Sequence, residues 1–225
     1  MKIIELSEAR YSFSLTLILR LYKVKRFKRY HIIKLLPGGV IYNELGLKML
    51  SPTINMFCAG KDYIEFLKRY EYYLKIKMKE YSNECYIDGS LGREVFYPKG
   101  ILDNSIVWKF NHNTNAREAV EKWNERSKRV NFNNIAVIMI IQCDEDAYEF
   151  DALNLDKKIG VYYKDLGLKD VIFIDGWADE NVRRSVEWNW PSYANRRMVN
   201  VRGCMSPINW IRFLNGQKDY RRFIS

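Results

Sequence analysis

Three places in this 225-residue chain combine residue types and spacing that could do chemistry. The first is Asp144-Glu145-Asp146, which follows the most apolar run, Ile135-Ala136-Val137-Ile138-Met139-Ile140-Ile141. Two carboxylates at the end of a buried strand fit the Asp-x-Asp pattern that holds a divalent cation against a diphosphate in nucleotide-sugar transferases. Hard oxygen ligands suit such a cation, which offsets the charge on the leaving group. The competing reading makes Asp144 a helix cap, with acids favoured in the first turn. The second place is Gly38-Gly39, between a strand and a short helix. Glycines there let the backbone approach a ligand, and free N–H groups at the helix start would face a phosphate or carboxylate. The plainer alternative is a tight turn that needs positive φ. The third is His112, at the end of one predicted strand, with His31 at the start of another. A strand-end histidine suits a general base near neutral pH, or is a hydrogen-bonded surface residue.

Two further clusters are less specific. Lys122, Arg126 and Arg129 lie three or four residues apart and share a helix face that would grip phosphates or pair with Glu118, Glu121 and Glu125. Trp177, Trp188, Trp190 and Tyr193, with Arg183, Arg184, Arg196 and Arg197, would stack a sugar ring or base, or pack a loop onto the core. There is no Gly-x-Ser-x-Gly elbow to support a Ser-His-Asp hydrolase and no zinc-like ligand spacing, so no metal site is assigned, and the sequence names no particular cofactor. Without a nucleic-acid-binding motif, no nucleic acid is expected as partner. The four cysteines, Cys58, Cys85, Cys143 and Cys204, form no Cys-x-x-Cys pair. With no evident signal peptide they read as reduced thiols, Cys58 and Cys143 beside apolar runs.

Elements must hold these groups in place. Residues 31–36, 54–57, 106–110, 134–141, 159–163 and 171–174 read as strands. Residues 40–45, 62–81, 114–129, 144–153 and 208–214 read as helices, and 82–104 as a loop with short extended pieces. Asp62 would cap the second helix, and Thr114 or Asn115 the third. Near the N-terminus Phe13, Leu17, Leu21 and Val24 make one apolar helical stripe, ending in residues 20–34 with seven basic side chains and no acidic one. Residues 1–80 hold 16 basic and 7 acidic side chains, which is nine of the ten net positive charges. Such a block would attract anions, an anionic membrane surface included, or be a solvated face. Its apolar run, residues 13–19, is too short to span a bilayer.

The residues resemble a bacterial family, DUF1919, whose members are often labelled exopolysaccharide biosynthesis proteins. The resemblance rests on Gly38-Gly39-Val40-Ile41-Tyr42-Asn43-Glu44-Leu45-Gly46-Leu47 followed by Ser51-Pro52-Thr53. A second block is Tyr97-Pro98-Lys99-Gly100-Ile101-Leu102-Asp103, then His112, Glu118-Ala119, Lys122-Trp123, Arg126, Arg129-Val130 and residues 134–138. A third is Trp210 with Phe213-Leu214-Asn215. Two asparagines and often a cysteine precede the glycine pair in the family; here Lys34-Leu35-Leu36-Pro37 stands instead. The segment after the central strand is also altered, to Gln142-Cys143-Asp144-Glu145-Asp146.

The alternation of strands and helices argues for an α/β fold: a single parallel or mixed sheet with helices on both faces, plus an N-terminal amphipathic basic helix. One domain is expected over 1–225, with a helical extension at 1–29 and the family-matching core at 30–215. The resemblance implies a place in exopolysaccharide or capsule biosynthesis. The expected activity is a transferase of glycosyl type using a sugar nucleotide or lipid-linked sugar. His112, Asp144 and Asp146 are its candidate catalytic groups. Gly38, Gly39, Tyr42, Asn43, Ser51, Thr53, Lys122 and Arg126 are its candidate phosphate or ligand contacts. The alternative is a non-catalytic accessory protein on an anionic membrane or a polysaccharide-assembly complex. A cytoplasmic location, with room for peripheral attachment at the inner membrane face, fits both.

Overall fold

The computed structural model describes residues 31–34, 41–42, 51–82, 85–88, 93–185, 190–198 and 206–221. The expected N-terminal helix, Gly38, Gly39, Asn43 and Trp188 lie outside them.

The apolar run becomes β8 (Ile135–Ile140), flanked by β1 (His31–Lys34) and β9 (Lys158–Tyr162), with β10 (Val171–Phe173) beyond β9. All three pairings are parallel. Val137 and Met139 face one buried cluster, and Ala136, Ile138 and Ile140 face another. A strand covered on both sides needs no polar alternation, which is why its sequence is apolar throughout.

One face is covered by α4 (Asp144–Ala152), through Ala147 and Phe150. Beyond it lies an antiparallel sheet in the order β2 (Met56–Phe57), β7 (Ile106–Phe110), β6 (Lys99–Leu102), β3 (Lys79–Ser82). That sheet carries α1 (Gly60–Lys68) and α3 (Ala116–Ser127), whose Tyr63, Phe66 and Trp123 pack edge-on and tilted around Trp108. The opposite face is covered by residues 41–42, α6 (Trp190–Met198) and α7 (Trp210–Leu214). The short helix α5 (Glu180–Ser185) precedes α6.

Mixed α/β architecture with helices on both faces of a parallel sheet therefore holds. The single sheet does not: the described residues form two four-stranded sheets and a two-stranded ribbon, β4 (Cys85–Asp88) with β5 (Arg93–Phe96). The helix expected over 62–81 stops at Lys68, where Arg69 leaves helical geometry, and resumes only for α2 (Tyr70–Tyr73). Its N-cap position is Ala59, and Asp62 lies in the first turn. The expected loop over 82–104 is largely strand. Lys79, Glu80 and Tyr81 are all exposed on an edge strand, so neither face of β3 writes a burial period into the sequence.

Asn115 caps α3 as expected, accepting from the Glu118 N–H at 2.9 Å. At the other end of α4 the last carbonyls are capped from outside the helix. Lys158 is buried, and its Nζ donates to the carbonyls of Phe150 at 2.9 Å and Leu153 at 2.6 Å and also to that of Asp151. Asp170 stands 3.4 Å from the same ammonium. Positive charge here meets the negative end of the helix dipole and adds a charged donor to carbonyls of which two, Phe150 and Leu153, also accept from the N–H groups of Leu153 and Leu155.

Candidate functional site

In open parallel sheets the crevice outside the carboxyl ends of the strands is where ligands bind, because chain leaves every strand there in loops free to vary. Here β8 leads through Ile141-Gln142-Cys143 into Asp144, β9 into Tyr163-Lys164, and β10 into Ile174-Asp175-Gly176-Trp177. β1 ends at the same edge with Lys34.

Asp144 opens α4, where a carboxylate is favoured by the dipole. Lys164 Nζ reaches its two oxygens at 2.8 and 2.9 Å, and the Tyr162 hydroxyl donates to one of them at 2.7 Å. The Lys164 hydrogen bond, then that of Tyr162, holds the carboxyl below its ordinary range. The same contact raises Lys164, and burial, then the Asp144 bond, raises Tyr162. The pair is half exposed and open to solvent.

Asp146 points elsewhere. Two residues on, it lies on another side of the helix, against Gly60 at the start of α1 and the Cys143 thiol. A Cβ at Gly60 would collide with its carboxylate, so glycine there lets the Asp146 side chain sit against α1. Burial raises the Asp146 carboxyl. The two carboxylates expected to share a cation thus have separate partners, and among the described residues no group of three His, Cys, Asp or Glu side chains is placed to hold a metal ion.

The other expected site residues are dispersed. His112 is exposed on the turn after β7, in the antiparallel sheet. Ser51 and Thr53 are buried with their hydroxyls 2.9 Å apart, and the Thr53 N–H donates to Ser51 Oγ at 3.2 Å, which fastens the turn leading into β2. Tyr42 is fully buried against the second face of the parallel sheet. Lys122 is ion-paired with Glu118 one turn back on exposed α3. Arg126 is half-buried, and burial followed by the neighbouring Arg129 lowers it.

The aromatic stretch is where the structure adds most. Trp190 is buried at the start of α6, its indole N–H donating to the Ile141 carbonyl at 2.6 Å. Around it stand Tyr163 at 5.3 Å, Trp177 at 5.9 Å and Tyr193 at 6.1 Å between ring centroids. These three outer rings are half-buried. Lys164, Tyr162, Tyr163 and Asp175 were not singled out from the sequence. Their signal is positional: each ends, or lies within two residues of, an apolar strand run on the edge that collects Asp144 and Trp177. A separate groove of about 610 Å³ lies at the far end of α4, lined by Leu67, Lys68, Tyr70, Glu149, Leu153 and Leu155 and bridged by the Lys68–Glu149 ion pair at 3.0 Å.

Residues 20–212 match the family described as Domain of unknown function (DUF1919). A relative from Haemophilus influenzae, itself described as an uncharacterized protein, is 24% identical over 148 residues. That match covers 64% of this chain and 66% of the relative, so the chain spans just under two thirds of its length.

Proposed function

Because the chain belongs to the DUF1919 family, a family of unassigned function, we propose from its own residues that it is a transferase of glycosyl type, acting on a phosphate-activated sugar in exopolysaccharide or capsule assembly. One observation carries this reading. The carboxyl edge of the parallel sheet gathers a cation, a carboxylate and a group of aromatic rings within a few residues of three adjacent strand ends. Lys164, donating to Asp144, is an exposed ammonium able to take a diphosphate. Asp144, kept ionised, offers oxygens to a sugar hydroxyl or to a cation that accompanies the diphosphate. The aromatic rings offer apolar faces to the sugar. The exopolysaccharide setting rests on the resemblance of the glycine and Ser-Pro-Thr blocks.

The test is calorimetric titration of the full chain with uridine-, guanosine- and thymidine-diphosphate sugars, with and without manganese. Binding by at least one sugar nucleotide is expected, weakened on the order of tenfold by Lys164→Ala, the effect of losing about one charge-assisted contact. Folded protein that binds none of them would sink the transferase reading.

The charge asymmetry of the sequence favours a second reading, an accessory protein on an anionic membrane. Nine of ten net charges lie in residues 1–80. The attachment would be peripheral and electrostatic, since the apolar run at residues 13–19 is too short to span a bilayer; among the described residues no helix is long and apolar enough to cross a membrane. Flotation with phosphatidylglycerol vesicles at low salt is expected, and is lost when Arg26, Lys28 and Arg29 become Glu. Flotation unaffected by those changes excludes the electrostatic version.

A further inference from the structure

The loop after β10 is held in one shape by α6. Tyr193 and Arg197 lie one turn apart on that helix and both reach Asp175: the Tyr193 hydroxyl donates to its carbonyl at 2.7 Å, and the Arg197 guanidinium to its carboxylate at 2.9 Å. Gly176 then turns with φ +81°, and a Cβ there would strike the Tyr193 hydroxyl, so the bend is open to glycine alone. This clamp delivers Trp177 against Tyr193, centroids 5.4 Å apart at 45°, and against Trp190. Trp190 is itself fixed to the end of β8. Two bonds, a left-handed glycine and an anchored indole hold one half-exposed tryptophan beside a carboxylate whose side chain is 69% exposed.

We infer that Trp177, Tyr193 and Asp175 form a subsite for a neutral pyranose ring, the acceptor saccharide of the transfer proposed above. A pyranose presents one face of C–H groups and an edge of hydroxyls. The Trp177 face covers the first, and the Asp175 carboxylate accepts from a pair of neighbouring hydroxyls. The Trp177 and Tyr193 rings meet at 45° over the buried Trp190 and form a faceted surface. It suits a puckered ring better than a planar base, which would need a parallel slot. Asp175 is charge-paired with Arg197, but its carboxylate is the more exposed partner (69% against 32%), so it is the group a bound ring meets, and the subsite selects neutral rings over negatively charged ones. Arg197, engaged with Asp175, is a positioning residue. The inference rests on the transferase reading only for the word acceptor; the ring-binding site stands on the geometry.

The test uses the full chain and saturation-transfer NMR with neutral tetrasaccharides of glucose, galactose and N-acetylglucosamine, and with tetragalacturonate. Saturation transfer to C–H protons of at least one neutral probe is expected, with none to the galacturonate. Trp177→Ala weakens binding by roughly tenfold to a hundredfold, the range for losing a stacking contact, and Trp177→Phe restores part of it. Asp175→Asn, which keeps the loop's size, weakens it less and admits the galacturonate. If Trp177→Ala unfolds, as judged by circular dichroism, the Phe and Asn variants carry the test. No transfer from any neutral probe, or variants binding like wild type, overturns the subsite. Sugar-nucleotide titration of the same samples separates the two ideas: Trp177→Ala that still binds a sugar nucleotide but no saccharide supports both. Saccharide binding without any sugar-nucleotide binding keeps the subsite and removes the transferase.

Discussion

Two aspartates on one helical turn are expected to titrate in opposite directions. Asp144 is lowered by Lys164 first and Tyr162 second, while Asp146 is raised by burial. A carboxyl whose folded value lies below its unfolded value of about 3.9 adds stability above that pH and loses it as pH falls through the folded value. Asp144 is of this kind. Asp146 is the reverse: at neutral pH its ionised form costs stability, and the cost is relieved as pH falls through its raised value. Carboxyl-detected NMR should show Asp144 inflecting below and Asp146 above the ordinary aspartate range. Lys164→Met should return Asp144 toward that range and leave Asp146 in place. Coincident inflections would show that the Lys164–Asp144 pair does not persist in solution. Lys158 offers a larger effect. Replacing it with Met removes three charge-assisted bonds at the end of α4, leaving the Phe150 and Leu153 carbonyls with their backbone donors alone, and leaves Asp170 without its cation. A loss of about 2–4 kcal/mol is expected in urea denaturation, the scale for breaking a buried charge-assisted cluster.

Among the elements, two contacts set helix and strand positions and can be tested separately. Asn115→Ala removes the cap of α3 and should cost about 1 kcal/mol, with Asn115→Asp close to wild type. Gly160 lies in β9 where a Cβ would meet Ile141 Cδ1 at 2.6 Å and the Phe150 ring at 3.1 Å. Gly160→Ala should therefore cost about 1–3 kcal/mol by overpacking the α4–sheet contact, read as a lowered urea midpoint with an unchanged slope. How well each element was legible follows from the same physics. β8 was readable because burial on both faces demands an unbroken apolar run. α3 was readable because Asn115 and the Ala119–Trp123 spacing mark its start and its inner face. β3, with three of four residues exposed, and the ribbon of β4 and β5 left no such mark. The site was half legible. Asp144 and the tryptophans stand out by type, whereas Lys164 and Tyr163 acquire meaning only when parallel pairing brings the end of β9 between those of β8 and β10. The divergence of Asp144 from Asp146 follows from the helix read over 144–153, since residues two apart on a helix point to different sides, and the Asp-x-Asp reading conflicts with it.

For the whole molecule, the question is whether the two sheets are one cooperative unit. The largest buried cluster draws Met56, Trp108 and Phe110 from the antiparallel sheet, Tyr63 and Phe66 from α1, and Trp123 from α3. It also takes Val137 and Met139 from β8, Ile141 just past its end, and Phe150 from α4. Tyr63 spans the boundary directly, its hydroxyl donating to the Ile138 carbonyl at 3.3 Å. Among the described residues the inner face of the parallel sheet is covered by α4 and this second layer, so losing the antiparallel sheet would expose β8 to water. Trp108 lies at the centre, and Trp108→Ala should cost about 3–5 kcal/mol. Among the described residues its buried indole N–H has no partner, so Trp108→Phe removes an unsatisfied donor along with volume and should cost clearly less. If the sheets form one unit, both variants shift far-ultraviolet circular dichroism and tryptophan fluorescence to lower urea together, in single coincident transitions. Two separated transitions, with the later one insensitive to position 108, would mean that the parallel sheet and its carboxyl-edge site stand without the antiparallel layer. The aromatic subsite could then be studied on the parallel sheet alone.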